Sequence, residues 1–271
     1  MKFLELNDGN RIPMIGLGTF KMDNGNEVEE AVKHALKTGY RSIDTAAFYG
    51  NEEGVGEAIR ESGVPRKDIF VTTKLWTEDE GYESAFKAFE GSLERLGLDY
   101  VDLYLIHWPV EGKYMDSWRA LLEIKESGRA RSVGVSNFMI HHLRKLLSGY
   151  DATPSVNQVE LHPGLYQKGL MEYCREKGIK VEAWSPIKRG QVSEMPEMVD
   201  IAQHHGKSPA QVAIRWEIQH GAVTIPKSSH AERIEENLDV FDFELSRHEM
   251  ERIDSIGNDQ RIGPDPDNFS F

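Results

Sequence analysis

The sequence predicts an α/β fold, a single (β/α)8 barrel domain that spans residues 1–271. Eight short apolar segments alternate with helical periods, at about thirty residues for each strand-plus-helix unit. Strands that are each followed by a helix form a parallel sheet, because a parallel connection needs a long crossover. No linker or change of composition divides the 271 residues, a length typical of one barrel. Eight regular units favour this closed barrel over an open doubly wound sheet.

The N-terminal residues predict a β-hairpin ahead of the barrel. An extended stretch at 3–6 and a second one through Ile12 and Ile15 flank the turn at 7–10. That turn contains Asp8-Gly9, and an Asp-Gly pair between apolar runs is a strong hairpin signal. We expect the hairpin to cover one end of the barrel.

The later elements follow in order, and several helices carry signals for where they start and stop. Asn26 is the predicted cap of the first helix, and Gly39 ends it. Ser208, Pro209 and Gln211 predict a capped helix start with proline in the first turn. A short C-terminal tail follows the last helix. The strand candidates are residues 15–18, 40–44, 69–75, 101–106, 132–135, 156–159, 179–184 and 222–225.

Composition and charge exclude several classes of protein. The 45 acidic and 32 basic side chains give a formal net charge of -13, which argues against binding to nucleic acid or to an anionic membrane surface. The N-terminus lacks a secretory signal, and no run of about 18 apolar residues predicts a membrane span. The single cysteine, Cys174, predicts a buried thiol and a reducing compartment. We therefore expect a soluble cytoplasmic protein.

Two known motifs, one for binding a dinucleotide and one for a catalytic serine, are matched only in part. The stretch that begins at Gly54 resembles a dinucleotide-binding glycine motif, but its last glycine position holds Ile59 within a helical pattern. The stretch that begins at Gly134 resembles a nucleophile elbow until Phe138 replaces the final glycine. Neither a Rossmann domain nor a serine hydrolase is predicted.

The histidines do not predict a metal site. Adjacent pairs at 141–142 and 204–205 are not expected to place both rings on one helix face, because side-chain neighbours lie three or four residues apart. A metal-dependent barrel hydrolase would need several histidines and carboxylates at strand ends, and only Asp44 and His107 qualify. We expect solvated histidine pairs and no bound metal.

Four chemically distinct side chains follow neighbouring strands of the predicted barrel. The second strand ends at Asp44 and its loop carries Tyr49, the third ends near Lys74, and the fourth ends at His107. Active sites of such barrels lie at the carboxyl ends of the strands. Each residue alone has an ordinary structural explanation, as a cap, a packing residue, a solvated end or a core histidine. Because all four residues stand at or after the ends of neighbouring strands, four independent structural roles are the poorer explanation.

These four side chains suit the reduction of a carbonyl group. A phenol has a pKa near 10, so it needs a neighbour to make it an effective acid near neutrality. Lys74 would lower the pKa of Tyr49, and Asp44 would hold Lys74 charged and in place. A neutral His107 would orient a carbonyl oxygen by a hydrogen bond. The set predicts protonation of the oxyanion that forms as a carbonyl is reduced.

Four stretches of the chain together resemble the aldo-keto reductase family. They are residues 39–56 (GYRSIDTAAFYGNEEGVG), 93–109 (LERLGLDYVDLYLIHWP), 132–138 (SVGVSNF) and 225–237 (IPKSSHAERIEEN). The resemblance covers essentially the whole chain. It implies a catalytic tetrad of Tyr49, Lys74, Asp44 and His107, with Tyr49 as general acid and NADPH/NADP+ as the cofactor.

The resemblance also implies which residues contact cofactor and substrate. The implied cofactor contacts are Gly18, Thr19, Ser136, Asn137, Gln158, Trp184, Ser185, Ile187, Lys188, Lys227, Ser228, Arg233, Glu236 and Asn237. Ser136, Asn137 and Gln158 would bind the nicotinamide carboxamide, and Trp184 would stack on its ring. The implied substrate contacts are Phe20, Phe48, Trp76, His107 and Trp108. Lys227 and Arg233 supply two cations after the eighth strand, which favours the 2′-phosphate of NADPH over NADH.

The sequence is most similar to the prokaryotic branch of the family that contains 2,5-diketo-D-gluconate reductases and glyoxal or methylglyoxal reductases. Trp184 stands where many relatives have tyrosine, and Lys188 where glycine is common, beside the expected pyrophosphate position. This resemblance implies small aldehydes, α-dicarbonyls such as methylglyoxal, or keto-sugar acids as substrates, and a monomer. The short tail implies an open mouth. The alternative is a redox-sensing module that holds the cofactor with little catalysis.

Overall fold

The computed structural model describes residues 1–257 and 260–270, and its centre is a closed barrel of eight parallel strands. Each strand pairs with the next one along the chain. A parallel bridge between Ile15 and Thr224 joins the first strand to the last, and Gly16 N donates to Thr224 O at 2.9 Å. The strands are β3 (Leu17–Gly18), β4 (Ser42–Asp44), β5 (Phe70–Leu75), β6 (Val101–Ile106), β7 (Ala130–Ser136), β8 (Val156–Glu160), β9 (Lys180–Trp184) and β10 (Val223–Thr224). The predicted fold class is confirmed.

The predicted hairpin is present and covers the amino end of the barrel. Strand β1 (Phe3–Glu5) pairs antiparallel with β2 (Arg11–Pro13). Leu6 and Ile12 pack into one apolar cluster with Leu103, which comes from the barrel interior. The second hairpin strand is shorter than predicted, because Ile15 has already joined the barrel.

Helices surround the barrel and cover the outer faces of its strands. They are α1 (Asn26–Thr38), α2 (Glu52–Glu61), α3 (Tyr82–Leu96), α4 (Tyr114–Glu126), α5 (Ile140–Gly149), α6 (Lys168–Glu176), α7 (Pro196–His205), α8 (Pro209–Gln219), α9 (Ala231–Leu238) and α10 (Arg247–Asp254). Cys174 is fully buried on α6, as predicted, and burial raises the pKa of its thiol to about 12. No helix among the described residues is long and apolar enough to cross a membrane.

Two helix starts had sequence signals, and one of the two predictions is wrong. Ser208 caps α8 as predicted: its hydroxyl accepts from Gln211 N at 3.2 Å, and the Gln211 side chain accepts from Ser208 N at 3.0 Å. Asn26 is not a cap. Gly25 takes that position with φ of 88°, and α1 begins at Asn26 itself. A positive φ suits glycine far better than asparagine in general, so the boundary lies one residue earlier than predicted.

Candidate active site

The four predicted catalytic side chains meet at the carboxyl end of the barrel. Asp44 is the last residue of β4, Lys74 lies near the end of β5, His107 follows β6, and Tyr49 ends a short turn after β4. Lys74 Nζ donates to Asp44 Oδ1 at 2.7 Å and to Tyr49 Oη at 3.2 Å. The ring of His107 stands edge-on to that of Tyr49, with 5.7 Å between centroids. Adjacent parallel strands have therefore brought the acid, amine, phenol and imidazole to one place.

Lys74 is a buried ammonium with all three of its hydrogens in use. Its third hydrogen bond goes to the carbonyl oxygen of Thr45 at 2.9 Å, and the side chain is completely enclosed. Burial alone would lower the pKa of Lys74, but the attraction of Asp44 and Tyr49 outweighs burial and raises it. Lys74 therefore carries a fixed positive charge next to the phenol oxygen.

Tyr49 is a phenol at neutral pH, and its pKa differs from the prediction. Burial raises the pKa of Tyr49 above its usual value, and the nearby Lys74 ammonium opposes that rise without reversing it. Lys74 lowers the Tyr49 pKa as predicted, but the predicted net direction is wrong, because burial of the phenolate raises the pKa by more than Lys74 lowers it. A protonated phenol is a form that can donate a proton, and Lys74 at 3.2 Å would stabilise the corresponding phenolate.

His107 is a neutral imidazole beside the phenol, as predicted. Burial and the positive charge of Lys74 hold its pKa well below the usual value. Its Nδ1 atom is buried and has no hydrogen-bond partner within residues 1–257 and 260–270. Asn137 Nδ2 donates to the His107 carbonyl oxygen at 3.0 Å and fixes the backbone there. A neutral ring keeps one N–H to donate and one nitrogen to accept.

A second buried carboxyl, Glu182, lies below the tetrad, and sequence reasoning missed it. Gln158 Nε2 donates to Asp44 Oδ2 at 2.8 Å and to Glu182 Oε2 at 2.7 Å. Burial, reinforced by the negative charge of Asp44, raises the pKa of Glu182 to about 8. Strand alternation was the available signal, since Trp184 two residues later was predicted to face the same barrel mouth.

Three members of the tetrad, Asp44, Tyr49 and His107, form the floor of a cavity of about 790 Å³. Most of the predicted contact residues line it: Gly18, Phe20, Asp44, Phe48, Tyr49, Trp76, His107, Trp108, Ser136, Asn137, Gln158, Trp184, Ser185, Ile187, Lys227, Ser228, Arg233, Glu236 and Asn237. Three predicted residues do not. Lys74 lies under the floor, Thr19 is buried behind Asp44 and donates to its carbonyl oxygen, and Lys188 turns away.

Arg189 takes the place in the wall that was predicted for Lys188. Both residues have positive φ, 48° and 55°, and this turn of the backbone sends their side chains in different directions. Lys188 is only 9% exposed and its Nζ lies against Gly164, whereas Arg189 lines the cavity. A cation therefore stays on this side of the cavity, one residue later than predicted.

The wall next to the floor is a network of polar side chains. Ser136 Oγ donates to Gln158 O at 2.9 Å, and Asn137 Nδ2 donates to Ser136 Oγ at 3.1 Å. The indole N–H of Trp184 donates to Asn137 Oδ1 at 2.9 Å. These bonds fix the edge of the Trp184 ring and both groups of the Asn137 amide. A flat polar ligand would meet a prearranged surface here.

The far end of the cavity carries two cations. Lys227 follows β10, and Arg233 is exposed on α9; within the described part of the chain neither forms a salt bridge. The pKa of Glu27 is lowered chiefly by a hydrogen bond from the Asp23 backbone and also by the charge of Lys227. The Ser228 hydroxyl accepts from His230 N at 3.1 Å. Cations beside a hydroxyl suit a phosphate group, so this end of the cavity offers charge and donors for one.

The rim of the cavity is aromatic and partly exposed. Phe48 is 50% exposed and stacks on Trp76 with 3.8 Å between centroids, and Phe20 is 42% exposed beside Tyr49. Trp108 lies deeper, in contact with Phe269 from the tail. An apolar rim above a polar floor suits a small ligand that has both apolar and polar surface.

The C-terminal tail covers part of this rim. The mouth of the cavity is therefore less open than predicted. Gly263 and Pro264 line the cavity. The buried carboxylate of Glu160, at the end of β8, accepts from Ile262 N at 2.7 Å and from Gly263 N at 3.3 Å. A Cβ on Gly263 would lie 2.3 Å from the Trp184 ring, so only glycine fits there. The short tail is therefore held at a fixed place.

The prediction for the histidine pairs is wrong in its geometry. His204 Nδ1 and His205 Nε2 both lie within 3.0 Å of Glu249 Oε1 on α10. His141 and His142 both approach Asp267 in the tail. His204 contacts Glu249 through Nδ1, and His205 contacts it through Nε2. The two nitrogens lie at different distances from the backbone, and this allows two adjacent residues to share one acceptor.

Comparison with known proteins gives one consistent result. Residues 14–258 match the model of the Aldo/keto reductase family. The chain is 56% identical over 268 residues to the glyoxal reductase of Bacillus subtilis, covering 99% of this chain and 97% of that protein. MGS-M4, an aldo-keto reductase from a deep-sea metagenome library, superposes with a TM-score of 0.96 at 45% identity, over 99% of this chain and 100% of that one. A mutant of Gox0644 in complex with NADPH gives a TM-score of 0.95 at 42% identity, over 100% and 99% of the two chains.

Proposed function

Since the chain belongs to the aldo/keto reductase family, we propose that it reduces small aldehydes and α-dicarbonyls such as methylglyoxal, with Tyr49 as the proton donor. It is an NADPH-dependent reductase of carbonyl groups. The preference for dicarbonyls draws on the similarity to a glyoxal reductase and on the small aromatic rim. Keto-sugar acids are the second substrate class. A single barrel domain, the cytoplasmic location and the monomeric state stay predictions.

The contact between Lys74 Nζ and the oxygens of Asp44 and Tyr49 is the observation that carries this proposal. It places a permanent positive charge 3.2 Å from a protonated phenol, on the floor of the cavity. Protonation of a developing oxyanion needs a donor whose conjugate base is stabilised where it forms. Lys74 stabilises the Tyr49 phenolate, and Asp44 keeps Lys74 charged and oriented.

The cavity fits the proposed cofactor in its charges and its polar groups. Lys227 and Arg233 would hold the 2′-phosphate, and Ser136, Asn137 and Gln158 would hold the carboxamide end. Arg189 would face the phosphates between the two ends. When bound, NADPH supplies the hydride that is added to the carbonyl carbon.

The chain's own residues then orient the substrate and deliver the proton. Neutral His107 donates a hydrogen bond to the carbonyl oxygen and directs it toward Tyr49. Tyr49 Oη gives its proton to that oxygen, and the phenolate charge falls within reach of Lys74. The rings of Phe48 and Trp76 exclude water from the apolar side of the substrate.

Consumption of NADPH in the presence of different carbonyl compounds tests the proposal. Purified protein is given NADPH with methylglyoxal, glyoxal, a simple aldehyde or a keto-sugar acid, and loss of the NADPH absorbance is followed. We expect the highest kcat/KM for an α-dicarbonyl. Tight binding of NADPH with no oxidation by any of these compounds would instead favour the redox-sensing module.

A further inference from the structure

Glu182 is a buried titratable residue that the proposed chemistry does not use. It lies on β9, in register with Gln158 of β8 on one side and Val223 of β10 on the other. Its side chain is 1% exposed and is directed into the barrel below the cavity floor. Burial of a carboxyl group is costly unless its interactions compensate, so its position calls for an explanation.

The Gln158 amide nitrogen contacts two carboxyl groups at once. Nε2 lies 2.8 Å from Asp44 Oδ2 and 2.7 Å from Glu182 Oε2, so both of its hydrogens are used. An amide nitrogen carries two hydrogens and accepts none, so this contact fixes which way the amide is turned. The nitrogen is held inward, and the amide oxygen is left for a donor in the cavity, which Gln158 lines.

Asp44 alone would hold this orientation less firmly. Its other oxygen is the acceptor for Lys74 at 2.7 Å, and without Glu182 one hydrogen of Gln158 would be buried unpaired. A turned amide would direct its oxygen at Asp44 Oδ2 and Glu182 Oε2 and would lose both of these hydrogen bonds. Glu182 therefore adds a second hydrogen bond that favours the orientation with the nitrogen inward.

Glu182 accepts the Gln158 hydrogen in both charge states, and only its ionised form also repels the oxygen of a turned amide. The titratable groups around it are Asp44, Lys74 and Tyr49, and its Oε1 has no partner among the described residues. Its pKa of about 8 means that it is mostly protonated at neutral pH. A protonated carboxyl still offers its carbonyl oxygen to an N–H donor.

We propose that Glu182 is a positioning residue for the cofactor: it holds Gln158 so that the amide oxygen accepts a hydrogen bond from the carboxamide NH2 of nicotinamide. This inference rests on the proposed function, because Gln158 must contact the nicotinamide end. Without Glu182, the protein should no longer distinguish cofactors by their carboxamide NH2 group. It should still bind both of them.

The test compares two cofactors and two substitutions at one position. The probes are NADPH and its reduced 3-acetylpyridine analogue, which has a methyl ketone in place of the carboxamide and so lacks the NH2 donor. Glu182→Met removes the acceptor at similar volume, whereas Glu182→Gln keeps a carbonyl acceptor. Dissociation constants are measured by quenching of protein fluorescence, which requires no turnover.

We expect wild-type protein and Glu182→Gln to bind NADPH roughly tenfold more tightly than the analogue, the value of one hydrogen bond that orients a ligand. In Glu182→Met the two constants are expected to agree within about twofold. Gln158→Met should abolish the preference as well, and adding Glu182→Met to it should change nothing further. If Glu182→Met does not fold, Glu182→Leu makes the same comparison, because a leucine side chain has no hydrogen-bond acceptor.

Two outcomes would overturn the inference. A full preference for NADPH in a folded Glu182→Met would show that Gln158 keeps its orientation without Glu182. An equal loss of affinity for both cofactors would mean that Glu182 only supports the fold of the site. Wild-type protein that binds NADPH with the expected preference but reduces no carbonyl would contradict the proposed function and leave this inference standing.

Discussion

The floor and the rim of the cavity are built in different ways. The floor consists of side chains at the ends of neighbouring strands, buried and bonded to one another, with Lys74 in contact with both Asp44 and Tyr49. The rim consists of aromatic rings on loops, and Phe20 and Phe48 are 42% and 50% exposed. Under the proposed function, the barrel would fix the chemistry, whereas loops and tail would adjust which carbonyl compound reaches it.

The largest effect is expected on the floor, from Tyr49→Phe. Removal of the phenol oxygen removes the proton donor, and kcat should fall roughly a thousandfold, within the usual range for general acid catalysis. The dissociation constant for NADPH should stay near the wild-type value, because the ring is retained. Steady-state kinetics with methylglyoxal and fluorescence titration with NADPH provide the two measurements. Activity near the wild-type level would mean that another group donates the proton.

A smaller effect is expected at the far end of the cavity, from Arg233→Ala. Loss of a charge-assisted hydrogen bond to the 2′-phosphate should raise the KM for NADPH roughly tenfold, with little change for NADH. Arg11→Ala on the hairpin is a matched control, because Arg11 is an exposed arginine at the opposite end of the barrel. Equal changes for NADPH and NADH would place the phosphate site elsewhere.

The tail should give a several-fold effect that is confined to the carbonyl substrate. Glu160→Ala removes the acceptor for Ile262 N and Gly263 N, so the tail should loosen and its amides should exchange faster with solvent. We expect the KM for methylglyoxal to rise about fivefold while the dissociation constant for NADPH changes less than about twofold. Hydrogen exchange and kinetics are measured on the same sample. Unchanged exchange in the tail would show that Trp184 and Phe269 hold it without Glu160.

The smallest effect is expected at the rim, from Phe48→Ala. Half of this ring is exposed already, so its loss should change kcat/KM for methylglyoxal by about threefold or less. The ranking of the tested carbonyl compounds by kcat/KM should change more than the kcat/KM for any one of them. A loss as large as that of Tyr49→Phe would contradict the division between floor and rim.

The floor was predictable from the sequence because a barrel turns strand ends into neighbours. Asp44 ends its strand, Lys74 lies one residue before the end of its strand, and His107 follows its strand directly; periodicity located those strands. The chain order of parallel strands then fixes which residues meet. The meeting of these side chains could therefore be predicted without information about side-chain conformation.

The details that could not be predicted depend on single dihedral angles or on distant contacts. Positive φ at Lys188 and Arg189 decides which of them faces the cavity. Glu160 and Ile262 are separated by 102 positions, and no local pattern links a strand end to the tail. The direction of the Tyr49 pKa depends on burial, for which the sequence gives no measure.

Transfer of a deuterium label decides whether this floor reduces carbonyl groups. Wild-type protein is incubated with methylglyoxal and NADPH deuterated at the transferring position of C4, and the product is analysed by mass spectrometry and NMR. We expect one deuterium on the former carbonyl carbon and a solvent proton on its oxygen, with no labelled product from Tyr49→Phe in the same time. Unlabelled product, or label retained entirely in the cofactor, would contradict the proposed reduction.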